Sequence, residues 1–230
     1  MEAREHPLRK MVNYIYNDIT SRYADFDPAH REDHVLTVIS QAMELLDRMP
    51  QWLNDHPEAA DEWNIPVDRN ILLAAAACHD LGLVNGRENH HLDSGKIIRA
   101  DQRLRNWFDE DQIEIIAQAA EDHRASGKSA PRSIYGMLVA EADRVIDGET
   151  IIRRTIQFGM KHYPDLDKAG HIERAVAHLR EKYGRGGYLK LWIPWSNNAA
   201  RLSALQDIIA DDEAIVKEVR RVAEQLNVIG

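Results

Sequence analysis

The sequence predicts an all-α fold, and three patterns along the chain lead to this prediction. Apolar residues recur every three or four positions over most of the chain, which is the spacing of one helix face. Prolines and glycines stand mainly at the boundaries between these segments, where helices begin and end. No run of alternating β-branched residues is long enough to predict a strand.

In the first half of the chain, helical segments alternate with polar or proline-containing breaks. Pro7 opens the first helix, because proline fits the first turn, and its apolar stripe continues to Ile19. The second helix starts at Asp27-Pro28, and its apolar face continues to Leu46. The segments that follow are a proline-flanked loop over 50–66 that could contain a short helix, a helix over 71–80 that is buried on all sides, a polar loop over 82–89 and a helix from Asp93 or Ser94.

The second half continues this alternation. Acidic residues over 109–111 favour the start of a helix over 113–123, because negative charge stabilises a helix N-terminus. After a loop over 126–131, Pro131 fits the first turn of a helix that runs through Asp143 to Ile146. Further helices are predicted over 149–162, 168–183, 197–209 and 211–227, with a glycine-rich break over 183–188.

Size and composition narrow the classes of protein that fit. At 230 residues the chain can bury a large core, and we predict a first helical domain over 1–150 with a helical extension over 151–230 packed on the same core. Its apolar (44%) and charged (29%) fractions are those of an ordinary globular protein. A formal charge of −9 disfavours a nucleic-acid polymer as partner. It does not exclude a small phosphorylated substrate, because bound metal ions can supply positive charge locally.

Cysteine usage and hydropathy indicate the compartment. Cys78 is the only cysteine, so no intramolecular disulfide exists and a reducing compartment is expected. The N-terminal residues contain no apolar signal segment, and no stretch approaches the roughly 18 apolar residues of a membrane span. We therefore expect a cytoplasmic protein that has no membrane partner.

The doublet His79-Asp80 is the strongest indication of chemistry in the sequence. It follows an unbroken apolar run over 71–77, where a protein normally buries only hydrocarbon. A buried carboxylate costs several kcal/mol unless a cation or a hydrogen-bond donor compensates it. The doublet therefore predicts a metal site that residues elsewhere in the chain complete.

Four other residues with apolar flanks could complete this site: His34, His91, His123 and Asp143. Each has a plain structural interpretation when it is taken alone. A single histidine on an apolar face is more often a hydrogen-bonded core residue than a metal ligand, and Asp143 could pair with an arginine. The ordered set of four histidines and two aspartates is much less expected from packing alone.

This ordered set resembles the HD-domain superfamily of metal-dependent phosphohydrolases over about residues 25–150. The residues that carry the resemblance are His34 in His34-Val35-Leu36-Thr37-Val38, the doublet in Ala77-Cys78-His79-Asp80-Leu81-Gly82, and Asp143 in Ala140-Glu141-Ala142-Asp143-Arg144. His91 and His123 match the positions that the dinuclear branch of this superfamily adds. The resemblance identifies the first domain as an HD-type metal-binding domain and the extension as an addition to it.

The resemblance implies two metal ions. His34, His79, Asp80 and Asp143 would bind the first, His91 and His123 the second, with Asp80 bridging and with His79 and Asp80 as the catalytic pair. A carboxylate can hold two cations at the ~3.5–4 Å spacing of two-metal hydrolases. Mixed nitrogen and oxygen ligands suit divalent Fe, Mn, Co, Ni or Zn.

Two assignments within this set have neighbouring alternatives. His90 adjoins His91, which we prefer because the segment 91–98 better resembles the helix start of the family. His30 competes less seriously with His34, since it precedes the apolar stripe. Arg124, Lys128 and Arg144 are candidates to bind a phosphate, although each could equally be a solvated surface charge.

The predicted function is a hydrolase that cleaves a phosphomonoester or phosphodiester of a nucleotide or related metabolite through a metal-activated water. Two other functions remain open on this scaffold. One is an HD-type di-iron oxygenase, and the other is a non-catalytic nucleotide-binding module. A homodimer is compatible with the sequence, which does not require one.

Overall fold

The computed structural model describes residues 6–26, 30–124, 129–144 and 146–226, and within these ranges every regular element is helical. The all-α prediction is therefore confirmed. The α-helices are α1 (Pro7–Asn13), α2 (Glu32–Asp55), α3 (Ala60–Trp63), α4 (Arg69–Cys78), α5 (His90–Ala100), α6 (Glu110–Asp122), α7 (Ile134–Asp143), α8 (Gly148–His162), α9 (Lys168–Tyr183), α10 (Asn198–Ala210) and α11 (Asp212–Gln225). None of the described helices is long and apolar enough to cross a bilayer.

The chain folds as two compact units. The first comprises Met1–Arg144 with Trp192–Ser196, and the second comprises Val145–Leu191 with Asn197–Gly230. The segment Trp192–Ser196 lies within the sequence range that we assigned to the C-terminal extension. In the structure, the Trp192 amide donates to Glu141 Oε2 at 2.8 Å, and the Trp195 indole donates to the Leu45 carbonyl at 2.7 Å.

Helix α4 lies at the centre of the first unit. The residues Ala74 to Cys78 are fully buried, and α4 packs against α2, α6 and α7. Small alanine side chains allow these three helices to approach α4 closely, so that their ends meet near the end of α4. The apolar run that the sequence analysis found is thus the core of this unit, with Cys78 as a buried core residue.

The structure corrects the predicted course of α2. Its predicted start at Asp27-Pro28 falls in 27–29, outside the described residues, and the helix begins at Glu32. It then continues through Pro50 to Asp55, whereas the sequence predicted a loop from Pro50. Pro50 lies on the exposed side, where water can satisfy the carbonyl that loses its partner. Burial of Met49 on the other side favours continuing the helix.

Two other helices begin at residues that differ from the predicted ones. Helix α5 starts at His90, three residues before the predicted Asp93, and the Asp93 amide donates to the Asn89 carbonyl in its first turn. Helix α7 starts at Ile134, after Pro131, because the Ser133 side chain caps it by accepting from the Gly136 amide.

The second unit consists of α8 to α11, whose bounds agree with the predicted helices to within two residues over the described range. Aspartates cap three of these helices, because a side-chain oxygen satisfies amides that the first turn leaves unpaired. These capping residues are Asp147, Asp167 and Asp211. Buried isoleucines of α8 fill the space between it and its neighbours α9 and α11.

Candidate metal centre

Five helix ends or faces of the first unit bring six polar side chains into one cluster. These are His34 from α2, His79 and Asp80 at the end of α4, His90 at the start of α5, His123 at the end of α6 and Asp143 at the end of α7. All but His90 were predicted from the sequence as site residues. Their ligand role is a proposal that we argue below, and we call this set the histidine–aspartate cluster.

One side of the cluster contains His34, His79 and Asp143 around one oxygen of Asp80. The His34 Nε2 atom lies 3.1 Å from Asp143 Oδ1 and 3.9 Å from Asp80 Oδ2. The His79 Nε2 atom lies 3.4 Å from Asp80 Oδ2 and 3.8 Å from Asp143 Oδ1. Nitrogen and oxygen atoms of three of these residues, His34, His79 and Asp80, are close enough together to hold one metal ion.

The other side contains two histidines around the second oxygen of Asp80. Asp80 Oδ1 lies 3.2 Å from His123 Nε2 and 3.4 Å from His90 Nε2. The two Nε2 atoms are 3.3 Å apart, and these three residues form a second group that could hold a metal ion. Asp80 is therefore shared, with one carboxylate oxygen directed to each group.

The backbone fixes the orientation of three imidazole rings. The Nδ1 atoms of His79, His90 and His123 lie 2.8, 2.7 and 2.5 Å from the carbonyl three residues earlier, which belongs to Ala76, Arg87 and Ala120 respectively. A carbonyl can only accept a hydrogen bond, so Nδ1 carries the proton in each ring. In the neutral form of each ring, the Nε2 lone pair then points into the cluster, which is the arrangement of metal-binding histidines whose second nitrogen is held by a hydrogen bond.

Burial makes the cluster suited to cations. His79, Asp80 and His123 are at most 3% exposed. Although carboxylate oxygens lie nearby, His34 Nε2, His79 Nε2 and Asp80 Oδ1 make no hydrogen bond of good geometry with any described residue. Buried polar atoms without such partners are costly, and metal coordination would compensate all three. The donor set therefore fits a pair of divalent cations.

Electrostatics keep the two carboxylates ionised. Burial alone would raise the pKa of Asp80, but the adjacent His79 and His123 rings, when positively charged, hold it well below its usual range. Burial alone would also raise the pKa of Asp143, but the adjacent His34 ring and the positive charge of His79 lower it. At His79, burial is outweighed by the charge of Asp80, which raises the pKa to about 9. These carboxylates therefore favour positive charge within the cluster.

The structure places His90, and not His91, in the cluster, so the geometry favours His90 as the ligand, whereas the sequence analysis preferred His91. Successive helix residues point about 100° apart, so only one of the pair can face Asp80. The His90 ring is the one turned towards His123, since their Nε2 atoms lie 3.3 Å apart. The His91 ring lies beside that of His90, with centroids 5.6 Å apart. Burial and the charge of Arg124 lower the pKa of His91 to about 4.

The predicted phosphate contacts have different surroundings. The Arg124 guanidinium donates to the Glu88 carbonyl at 2.6 Å, next to the first turn of α5. Arg144 is buried and donates to the Ala140 carbonyl, which favours a structural role at the end of α7. Lys128 lies outside the described residues. His30, the weaker alternative to His34, has its ring 5.6 Å from the His34 ring and is absent from the two candidate groups.

Substitution of the two adjacent histidines tests which of them binds metal. We expect His90→Ala to reduce the metal content from about two equivalents to about one, because it removes one of the three side chains of the second group. His91→Ala should retain about two, since His91 lies outside both groups. Elemental analysis of the two variants, purified in parallel without chelator, measures the difference. The reverse pattern would return the ligand role to His91.

Comparison with protein-family models places the cluster within a known family. The family model described as HD domain matches residues 31–146, which includes all six residues of the cluster. No curated protein and no solved structure matches the chain significantly.

Proposed function

Because this chain belongs to the HD-domain family, a superfamily of metal-dependent hydrolase type, we propose that it is a metal-dependent phosphohydrolase. The reaction is cleavage of a phosphomonoester or phosphodiester of a nucleotide or related metabolite. One observation carries the proposal: Asp80 directs one oxygen to His34 and His79 and the other to His90 and His123. A shared carboxylate between two histidine groups is suited to a pair of ions rather than to a single one.

Two divalent metal ions held by these groups would supply a hydroxide nucleophile near neutral pH and neutralise charge on the phosphate oxygens. The protein holds the ligands in place before binding: the backbone carbonyls of Ala76, Arg87 and Ala120 fix three imidazoles. Four imidazoles and two carboxylates form a mixed ligand set that suits Fe, Mn, Co, Ni or Zn. Elemental analysis of the purified protein identifies which of these metals is the native one.

Cations near the cluster support a phosphate-containing substrate. Arg124 donates a hydrogen bond to the Glu88 carbonyl, next to the first turn of α5. The pKa of His90 is lowered by burial, by the charge of His123 and, to a smaller extent, by the charge of Arg124. Arg87 is exposed, and its Nη2 atom lies 3.5 Å from His30 Nε2. In a chain with a net charge of −9, this local positive charge favours binding of a small anion beside the cluster. We propose Arg124 as the first substrate contact, with Lys128 as a further candidate.

Metal analysis and a substrate panel test the proposal together. Protein purified without chelator should contain about two transition-metal equivalents and hydrolyse at least one phosphomonoester or phosphodiester of a panel. Incubation with EDTA should abolish the activity, and Mn²⁺, Fe²⁺, Co²⁺, Ni²⁺ or Zn²⁺ should restore it. Hydrolysis that is insensitive to EDTA, in protein that binds no metal, would contradict the proposal. Oxygen consumption by the iron-loaded protein without phosphate release would favour an oxygenase, and nucleotide binding without turnover a non-catalytic module.

A further inference from the structure

The Tyr23 hydroxyl lies at the C-terminal end of α4, beside the backbone of Asp80. Tyr23 is fully buried at the end of a short 3₁₀ helix over Thr20–Tyr23. Its hydroxyl donates to the Ala77 carbonyl at 2.8 Å and accepts from the Asp80 amide at 3.2 Å. Tyr23 precedes the segment 31–146 that the family model matches, so this contact comes from outside the matched segment.

These two hydrogen bonds replace backbone bonds that a continuing helix would make. Helix α4 ends at Cys78, and a helix end leaves carbonyls without intrahelical partners. The His79 ring donates a hydrogen bond to the Ala76 carbonyl, and the Tyr23 hydroxyl donates one to the Ala77 carbonyl. The same hydroxyl binds the amide of Asp80, whose φ of −111° and ψ of 10° depart from the helix. One hydroxyl thus connects the end of α4 to the backbone of Asp80.

The environment of Tyr23 keeps its hydroxyl protonated, so that it can donate and accept at the same time. Burial and the nearby negative charge of Asp80 raise its pKa well above 10. The ring itself packs against Phe26, with centroids 5.2 Å apart, and this packing does not depend on the hydroxyl. Removal of the oxygen alone therefore separates the hydrogen bonds from the contribution of the ring to the core.

We propose that Tyr23 is a positioning residue for Asp80: its hydroxyl fixes the Asp80 backbone so that each carboxylate oxygen meets its own histidine group. This inference rests on the proposed metal pair. Asp80 is the one residue shared by both candidate groups, so a small rotation of its backbone displaces ligand oxygens on both sides at once. Tyr23 acts through the backbone of Asp80 and contacts no reacting atom.

Tyr23→Phe tests the proposal, with Tyr14→Phe as the matched control. Tyr14 is also buried, its hydroxyl donates to Asp101 Oδ2 at 2.5 Å, and neither residue belongs to the two candidate metal groups. Both substitutions keep the aromatic ring and remove one hydrogen-bonded hydroxyl, so both variants keep a filled core. In titrations of metal-free protein with Mn²⁺, Tyr23→Phe should weaken binding by about 10- to 100-fold, the usual effect of removing a partner that orients ligands. Tyr14→Phe should bind Mn²⁺ as the wild type does.

A second measurement needs no metal. Hydrogen exchange at the Asp80 amide of metal-free protein should be faster in Tyr23→Phe than in the wild type, with no such change in Tyr14→Phe. A Tyr23→Phe variant with wild-type Mn²⁺ affinity and Asp80 exchange would overturn the inference. A wild type that binds none of Mn²⁺, Fe²⁺, Co²⁺, Ni²⁺ and Zn²⁺ would instead refute the proposed function, and the exchange result would still decide whether Tyr23 fixes Asp80.

Discussion

An Asp80→Ala variant is expected to lose both metal equivalents and about 10³-fold or more of its kcat/KM for any phosphoester that the wild type hydrolyses. Asp80 presents an oxygen to each of the two histidine groups, so one substitution removes a ligand from both. Substitution of a residue that belongs to one group, such as His90, should leave the other group able to bind. Asp80 is therefore the position where a single substitution has the largest effect on metal content.

The control for this variant is Asp93→Asn. Asp93 also carries a carboxylate near the start of α5, but it pairs with Lys96 at 2.8 Å and lies outside the cluster. Elemental analysis and steady-state kinetics of the two variants should show the loss only in Asp80→Ala. If Asp80→Ala retained two metal equivalents, the shared carboxylate would not be the bridge that we propose.

The sequence predicted the site residues that stand next to apolar residues in a helical pattern. The apolar run before His79 indicates a buried helix end. The His79-Asp80 doublet at such a position predicts a bound cation without any knowledge of the rest of the fold. His34 and His123 stand among apolar residues of amphipathic helices, so their inward orientation follows from helix periodicity. For these residues the local sequence already determines which way the side chain points.

The choice between His90 and His91 depended on a helix boundary, which local patterns determine poorly. Both residues are histidines with similar neighbours, and a start at Asp93 would have left them both outside the helix. In the structure, α5 begins at His90, and the Nδ1 atom of His90 donates to the Arg87 carbonyl. The ring that enters the cluster is the one that reaches Asp80 and His123, and these contacts form only in the folded chain.

Tyr23 left no signal in the sequence because its partners are distant along the chain. The hydrogen bond between its hydroxyl and the Asp80 amide joins residues 57 positions apart. Tyrosine is common in helical cores, and nothing in the periodicity around Tyr23 separates a packing ring from one that binds a helix end. For the same reason, the sequence could not predict that Trp192–Ser196 belongs to the first unit. Its contacts with Glu141 and Leu45 are found only in the folded chain.

Gly82→Ala should produce the second large effect, which is the loss of the second metal group through displacement of α5. A Cβ atom at position 82 would lie 2.0 Å from the His90 carbonyl oxygen and 2.5 Å from the Ser94 amide nitrogen. Both obstructing atoms belong to the backbone of α5, so no side-chain rotation relieves the contact. The Gly82 amide also donates to the buried Ser94 hydroxyl at 2.8 Å, which ties the two segments together.

The α5 backbone must therefore move, and His90 moves with it. We expect the free energy of unfolding to fall by about 3 kcal/mol, at the upper end of the usual cost of overpacking. Metal content should fall from about two equivalents towards one, because the group of His34, His79 and Asp80 has no member on α5. Urea denaturation followed by circular dichroism gives the first quantity, and elemental analysis gives the second.

Gly148→Ala is the control for a methyl group added at a glycine. At position 148, the first residue of α8, the nearest atom to a new Cβ is Leu205 Cδ1 at 3.6 Å, an ordinary van der Waals distance. Alanine is also the better helix former, so this variant should be as stable as the wild type or more so. A Gly82→Ala protein with wild-type stability and two metal equivalents would mean that α5 can shift without moving His90. The close approach at Gly82 would then not be what positions the second group.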